Sequence, residues 1–167
     1  MPAAPPPSPA PETVPVVIAS DHAGLDLKAE LAAYLGDLGY PITDLGPHTP
    51  ASVDYPDYAR AVALALRHHE ARFGVLICGS GIGISIAANR YKGIRAALCH
   101  DVTSARLARQ HNDANVLALG ARLLGTAVAQ ECATVFLSTA FEGGRHQNRI
   151  AKLDVAILDV DGETGLP

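Results

Sequence analysis

FGVLICGSGIGISIAAN, residues Phe73–Asn89, is the stretch on which the reading of this chain turns. Its first six residues, FGVLIC, are apolar without alternation, the pattern of a strand buried on both faces of a parallel sheet. A small-residue loop follows, Gly79-Ser80-Gly81-Ile82-Gly83, and ISIAANR continues it with helix-compatible residues. Strand, glycine loop and helix in that order make an anion cradle, because the free amides and the positive end of the helix dipole meet there. Cys78 is the last residue before the loop, so a thiol stands beside that helix N-terminus. The stretch therefore offers a nucleophile or base next to an anion hole.

Better-known phosphate loops do not fit. G-x-G-x-G lacks the third-glycine spacing of a dinucleotide fingerprint, and no Lys-Ser/Thr pair follows as a P-loop requires. A cysteine-dependent phosphatase closes its loop with an arginine, but Ile84 stands six residues after Cys78. Read alone, the loop fits a tight strand-to-helix turn with an inert cysteine as well as it fits a site. Cys99 and Cys132 lie in an apolar strand and on an apolar helix face, and read as small buried hydrophobes.

The flanks repeat the strand-then-helix pattern. Val14–Ser20 reads as a buried strand and Leu25–Gly36 as a helix, with Leu27, Leu31, Tyr34 and Leu35 at helical spacing. Tyr40–Gly46 is a short strand, Pro47–Pro56 a loop, and Tyr58–His69 a helix. After the opening stretch, Gly93–His100 reads as a strand and Thr103–Gln110 as a short helix. His111-Asn112-Asp113 is a polar turn, Asn115–Leu119 a strand and Gly125–Ser138 a helix. Phe141–Arg149 leads into a last helix ending near Leu158. Alternation of this kind predicts an α/β fold, a three-layer α/β/α sandwich with a five-stranded parallel, Rossmann-like sheet. Ligands bind such sheets at the carboxyl ends of the strands. That rule gathers Asp21, His22, Cys78, His100, Asp101 and the 120s on one edge.

At 167 residues the chain suits one domain, expected over 14–158, with a Pro-rich tail at 1–13 and a frayed tail at 159–167. The start, MPAAPPPSPAPET, has no basic segment followed by an apolar one, so it is not read as a signal peptide. No apolar run is long enough to span a bilayer. A net charge of −4 leaves no basic footprint for nucleic acid. Three cysteines are an odd number without framework spacing, which suits free thiols in a reducing cytoplasm.

Other clusters carry less by themselves. Asp21-His22 can cap a helix or contact substrate hydroxyls. His68-His69 reads as solvated, and no set of His, Cys and acidic residues has zinc-ligand spacing. Arg145-His146-x-x-Arg149 follows two glycines and puts two cations on one helical face, where they and free amides can hold a phosphate. Arg122 can add a third cation.

Together, Ser20-Asp21-His22-Ala23-Gly24, Asp54-Tyr55-Pro56, ICGSGIGISIAANRYKGIRAA, RQHNDANVLALGAR and EGGRHQNRI resemble the type B ribose-5-phosphate isomerases. That family includes galactose-6-phosphate and allose-6-phosphate isomerases, and the likeness runs from about Val14 to Ala156. It implies a sugar-phosphate substrate, no metal or organic cofactor, and a dimer or tetramer with active sites between subunits. It implies Cys78 as the base that moves a proton between C1 and C2. Some members use a glutamate near the position of Ser85 instead; Ile84-Ser85 with a retained cysteine resembles the cysteine subgroup.

By the same resemblance His111 opens the sugar ring and Ser80 relays protons between the enediol oxygens. The amides of Gly79, Gly81, Ile82 and Gly83 stabilise the enediolate. Asp21, His22, Tyr55 and Asn112 hold hydroxyls or the ring oxygen. Arg122, Arg145 and Arg149 grip the phosphate, with His146 close by. The implied reaction interconverts ribose 5-phosphate and ribulose 5-phosphate. A six-carbon 6-phosphate isomerase, distinguished by the Pro47–Tyr55 loop, or a non-catalytic phosphosugar-binding module are the alternatives.

Overall fold

Unbroken apolar runs build the centre of the sheet. A computed structural model describes residues 14–153. Strands β1 (Val16–Ser20), β2 (Ile42–Asp44), β3 (Phe73–Cys78), β4 (Ala96–Leu98) and β5 (Val116–Gly120) pair in parallel, in the order β2-β1-β3-β5-β4. Every residue of β1, β3 and β5 is buried, as a strand covered on both faces requires. The helices are α1 (Leu25–Asp37), α2 (Tyr55–Arg67), α3 (Ile82–Ala88), α4 (Val102–Asn112), α5 (Thr126–Ser138) and α6 (Arg145–Leu153).

Strand alternation sorts the core into two layers. Val16, Ile18, Phe73, Val75, Ile77, Leu117 and Leu119 face α1, α4 and α5. Val17, Leu76, Cys78, Val116 and Ala118 face α2 and α3. The expected three-layer sandwich is therefore the observed one. Phe73 and Phe136 meet edge to face, with centroids 5.9 Å apart. Burial of large side chains of this kind contributes roughly 1.5–3 kcal/mol each.

Several boundaries differ from the expected ones. The edge strands β2 and β4 hold only three residues each, against the longer runs expected, because each pairs on one side alone. Helix α2 starts at Tyr55 rather than Tyr58. Asp54 is its extended N-cap, and Pro56 sits in the first turn, where a missing N–H costs nothing. Helix α4 runs on through His111 and Asn112, which the sequence reading placed in a turn. The turn comes one residue later, where Asp113 takes the left-handed conformation at φ 43°.

The tails expected at 1–13 and 159–167, and the extension of α6 to Leu158, lie outside the described residues. Among the described residues, no helix is long and apolar enough to cross a membrane. All three cysteines are unpaired and buried, and His68 and His69 are exposed as expected.

Candidate active site

The carboxyl ends of β1, β3 and β5 carry the first group of candidates. Cys78 ends β3, and its sulfur accepts a hydrogen bond from the amide of Gly81 at 3.1 Å. Gly81 is in the left-handed conformation, φ 76°, and so turns its N–H back toward the sulfur at the head of α3. Negative charge on the sulfur or beside it thus meets a fixed donor. The Ser80 hydroxyl accepts from the amide of Ile82 at 3.2 Å and lies partly open to solvent. Gly79 and Gly83 are partly open as well, and Ile82 is exposed.

The loop is held by close backbone contact rather than by side chains. A Cβ at Gly120 would stand 2.6 Å from the Ser80 carbonyl oxygen, so β5 touches the loop directly. The Cys78 carbonyl accepts from the amide of Ala121, and that of Gly79 from Arg122. The Arg122 guanidinium lies against Gly79, placing a cation beside the thiol loop.

Asp21 and His22 stand at the end of β1, next to this loop, and the Asp21 amide donates to the Ile77 carbonyl. The capping alternative is realised: the Asp21 carboxylate accepts from the amides of Ala23 and Gly24, at 2.9 and 3.1 Å. His22 is exposed, and its Nδ1 accepts from the amide of Val53 at 3.3 Å, pinning the Pro47–Pro56 loop over the strand ends. Tyr55, at the start of α2, lays its ring over Gly83; a Cβ there would stand 2.7 Å from the ring carbon bearing the hydroxyl. His100 and Asp101 also lie at this edge, but Asp101 caps α4 through the Ser104 amide. The hydrogen bonds from Ser104 hold its carboxyl below the ordinary value.

The remaining candidates stand at the other edge. Helix α4 starts after the end of β4 and leads back to the beginning of β5, so its last turn lies where the strands start. Arg95, just before β4, confirms the placement: its side chain donates to the carbonyls of Asn112 and Asp113. Buried Arg109 locks the same corner, donating to Asp113, Ala114 and the Thr139 carbonyl, with its guanidinium over the Phe73 ring. His111 and exposed Asn112 thus sit about one helix length from Cys78, and 11 residues at about 1.5 Å each is roughly 16 Å.

At this second edge His111 stacks on His146, with ring centroids 4.3 Å apart and planes within 7°. Glu142 Oε2 lies 3.9 Å from His111 Nε2 and 3.8 Å from His146 Nε2. Burial, then His111 and the neighbouring arginines, hold the His146 ring below its ordinary pKa. Arg145 and Arg149 are exposed on α6, behind left-handed Gly143 and Gly144.

The geometry divides the candidates between two edges of the chain. The strand-end rule collects Cys78, Ser80, Asp21, His22, Tyr55 and Arg122, but within one chain it leaves out His111, Asn112, Arg145 and Arg149. Arg122 lies on the thiol's edge of the chain, and Arg145 and Arg149 lie on the opposite one. Glu142 was missed altogether. Its only sequence signal is the four-residue spacing to His146, because its other neighbour, His111, comes from a different helix.

A family model described as Ribose/Galactose Isomerase matches residues 16–153. The chain is 47% identical over 135 residues to the ribose-5-phosphate isomerase B of Escherichia coli, covering 81% of this chain and 91% of that protein. A crystal structure of a ribose 5-phosphate isomerase from Thermotoga maritima superposes with a TM-score of 0.83 at 52% identity, covering 84% of this chain and 97% of the other. The ribose-5-phosphate isomerase B of Mycoplasma genitalium, solved with bound ribulose-5-phosphate, superposes with a TM-score of 0.80 at 43% identity, covering 84% and 93%. With nearly the whole described chain matched in both sequence and fold, this protein belongs to the ribose/galactose isomerase family.

Proposed function

We propose that this protein interconverts D-ribose 5-phosphate and D-ribulose 5-phosphate through an enediolate, the activity for which its E. coli relative is named. The observation that carries the reading is the Gly81 amide bonded to Cys78 sulfur, which puts a proton acceptor and a hydrogen-bond donor for an anion at one strand-to-helix turn. Aldose–ketose isomerisation needs that pairing. The Cys78 sulfur takes the C2 proton of the opened aldose and returns it to C1 on the same face. The amides of Gly79, Gly81, Ile82 and Gly83 hold the negative oxygen meanwhile. A donor of this kind contributes about 3–4 kcal/mol to the transition state. The Ser80 hydroxyl passes a proton between the two oxygens.

The ring must open first, which is the role of His111. Asp21, His22, Tyr55 and Asn112 position hydroxyls and the ring oxygen, and Arg122, Arg145 and Arg149 hold the phosphate. Since His111 and Cys78 stand at opposite edges of one chain, the working site combines the thiol edge of one copy with the histidine edge of another. This two-copy arrangement makes the homo-oligomer part of the reading. The three unpaired thiols support a cytoplasmic setting.

The test is turnover of ribose 5-phosphate, with allose 6-phosphate as the six-carbon control, run in deuterated water. Deuterium entering the substrate carbons during turnover, with kcat/KM higher for the five-carbon sugar, is the expected result. Binding without exchange would leave only a phosphosugar-binding role.

A further inference from the structure

The histidine edge holds a donor set that ring opening does not call for. His111, Glu142 and His146 each present one ligand atom, and these atoms lie within 4.8 Å of one another. Two imidazoles and one carboxylate, with a further position open, is the donor set of open zinc sites. Atoms bound to one tetrahedral zinc at about 2.0–2.1 Å stand about 3.4 Å apart. Glu142 Oε2 is 3.9 and 3.8 Å from the two nitrogens and the widest spacing in the set reaches 4.8 Å, so the gaps must close by roughly 0.5 to 1.4 Å. The Glu142 carboxylate is about half exposed, at 49%, and a shared ion would require the stacked rings to tilt apart. The frame around them is held in place. The Glu142 amide donates to the Gln110 carbonyl at 3.1 Å, clipping its segment to α4, and His146 is buried on α6. The charge balance is mixed, because Glu142 favours a cation there while Arg145 and Arg149 oppose one.

We propose that His111, Glu142 and His146 form a reversible site for a zinc-class cation, which switches the enzyme off by occupying His111. The inference rests on the reading of His111 as the ring-opening residue. Metal on the Nε2 lone pair removes the position that must take up or hand on a proton. Imidazole donors select zinc, cobalt or nickel, whereas magnesium and calcium prefer all-oxygen shells. His111 is 36% exposed in the single chain, so its ring is within reach of an added cation.

Cobalt(II) added to the tag-free full chain, followed by visible absorption, reads the site without reference to activity. One cobalt per chain with four-coordinate bands, displaced by zinc but not by magnesium, is the expected result. Glu142→Gln and His146→Gln should each weaken binding at least about tenfold. Glu142→Gln replaces an exposed carboxylate, so it keeps the fold even where a change at buried His146 does not. Zinc should inhibit turnover of ribose 5-phosphate, and a chelator should restore it. The proposal is overturned by absence of binding, or by equal affinity in Glu142→Gln. A sulfur-to-cobalt band that vanishes in Cys78→Ala, placing the metal on the thiol, overturns it too, as does cobalt and zinc binding with turnover unaffected. Lack of turnover by the metal-free protein would instead sink the isomerase reading, while the cobalt spectrum would still report on the site.

Discussion

At the strand-end edge, Cys78, the amide that faces it and the serine beside that amide come from one continuous loop, pinned by β5 through Gly120. At the opposite edge, His111, Glu142 and His146 come from two helices and the segment between them, joined by side chains and a single backbone clip. The first edge is a backbone device, so its donors are fixed when the strand and helix form. The second is a side-chain assembly, whose partners can rearrange. A reaction that needs a rigid anion hole and a mobile proton carrier is well served by that difference.

The largest effect should come from removing the thiol. Cys78→Ala is expected to lower kcat on ribose 5-phosphate by about 10³-fold, the scale of a lost general base, with the urea midpoint nearly unchanged. Wild-type turnover would show that the strand-end edge carries no base. His111→Ala should follow, losing about 10²-fold on the cyclic substrate and much less on an open-chain one.

Mixing these two inactive variants tests whether the edges cooperate between copies. In a twofold dimer, half the reassorted dimers contain one site with both groups intact, so activity should recover to about a quarter of wild type. No recovery after verified exchange of subunits would mean that the site lies within one chain, or that His111 works elsewhere.

The rigidity of the thiol edge can be tested at Gly120. A methyl group there meets the Ser80 backbone at 2.6 Å, and neither strand nor loop can yield cheaply. Gly120→Ala should cost about 1–3 kcal/mol in urea unfolding and should also reduce kcat. An unchanged kcat would show that the loop tolerates displacement.

The smallest effect concerns a second cysteine near the same edge. Cys99 lies just beyond β4 without a comparable amide donor, and burial pushes its thiol up from 9.0 to about 11. The unfolded thiol ionises first, so the stability from burying it is complete below pH 9.0 and lost as pH rises through about 11. Cys99→Ala should flatten the alkaline decline in melting temperature, and Cys132→Ala should flatten it too, since burial also pushes that thiol up. An unchanged slope would exclude Cys99 as its source.

Local pattern accounts for what was legible. FGVLIC reads as a buried strand because all six residues are apolar, and it is one, from Phe73 to Cys78. The glycines that follow marked a turn with free amides, and the Gly81 bond to sulfur is the physical form of that signal. The helix start at Tyr55 was placed late, at Tyr58, although Pro56 suits a first turn. His111 was assigned to a turn because His-Asn-Asp is common in turns, whereas buried Arg109 bonds past the end of a helix that runs two residues longer.

By itself, the sequence determined the order of strands and helices, the thiol at the end of β3, and the motifs that mark the family. These depend on residues a few positions apart, through periodicity and backbone conformation. Only the tertiary structure decided that the candidates divide between two edges of one sheet, and that Glu142 comes between two histidines. Those facts depend on where α4 ends against β4 and α6, which is set by long-range packing around Arg95, Arg109 and the two phenylalanines and leaves no periodic trace in the chain.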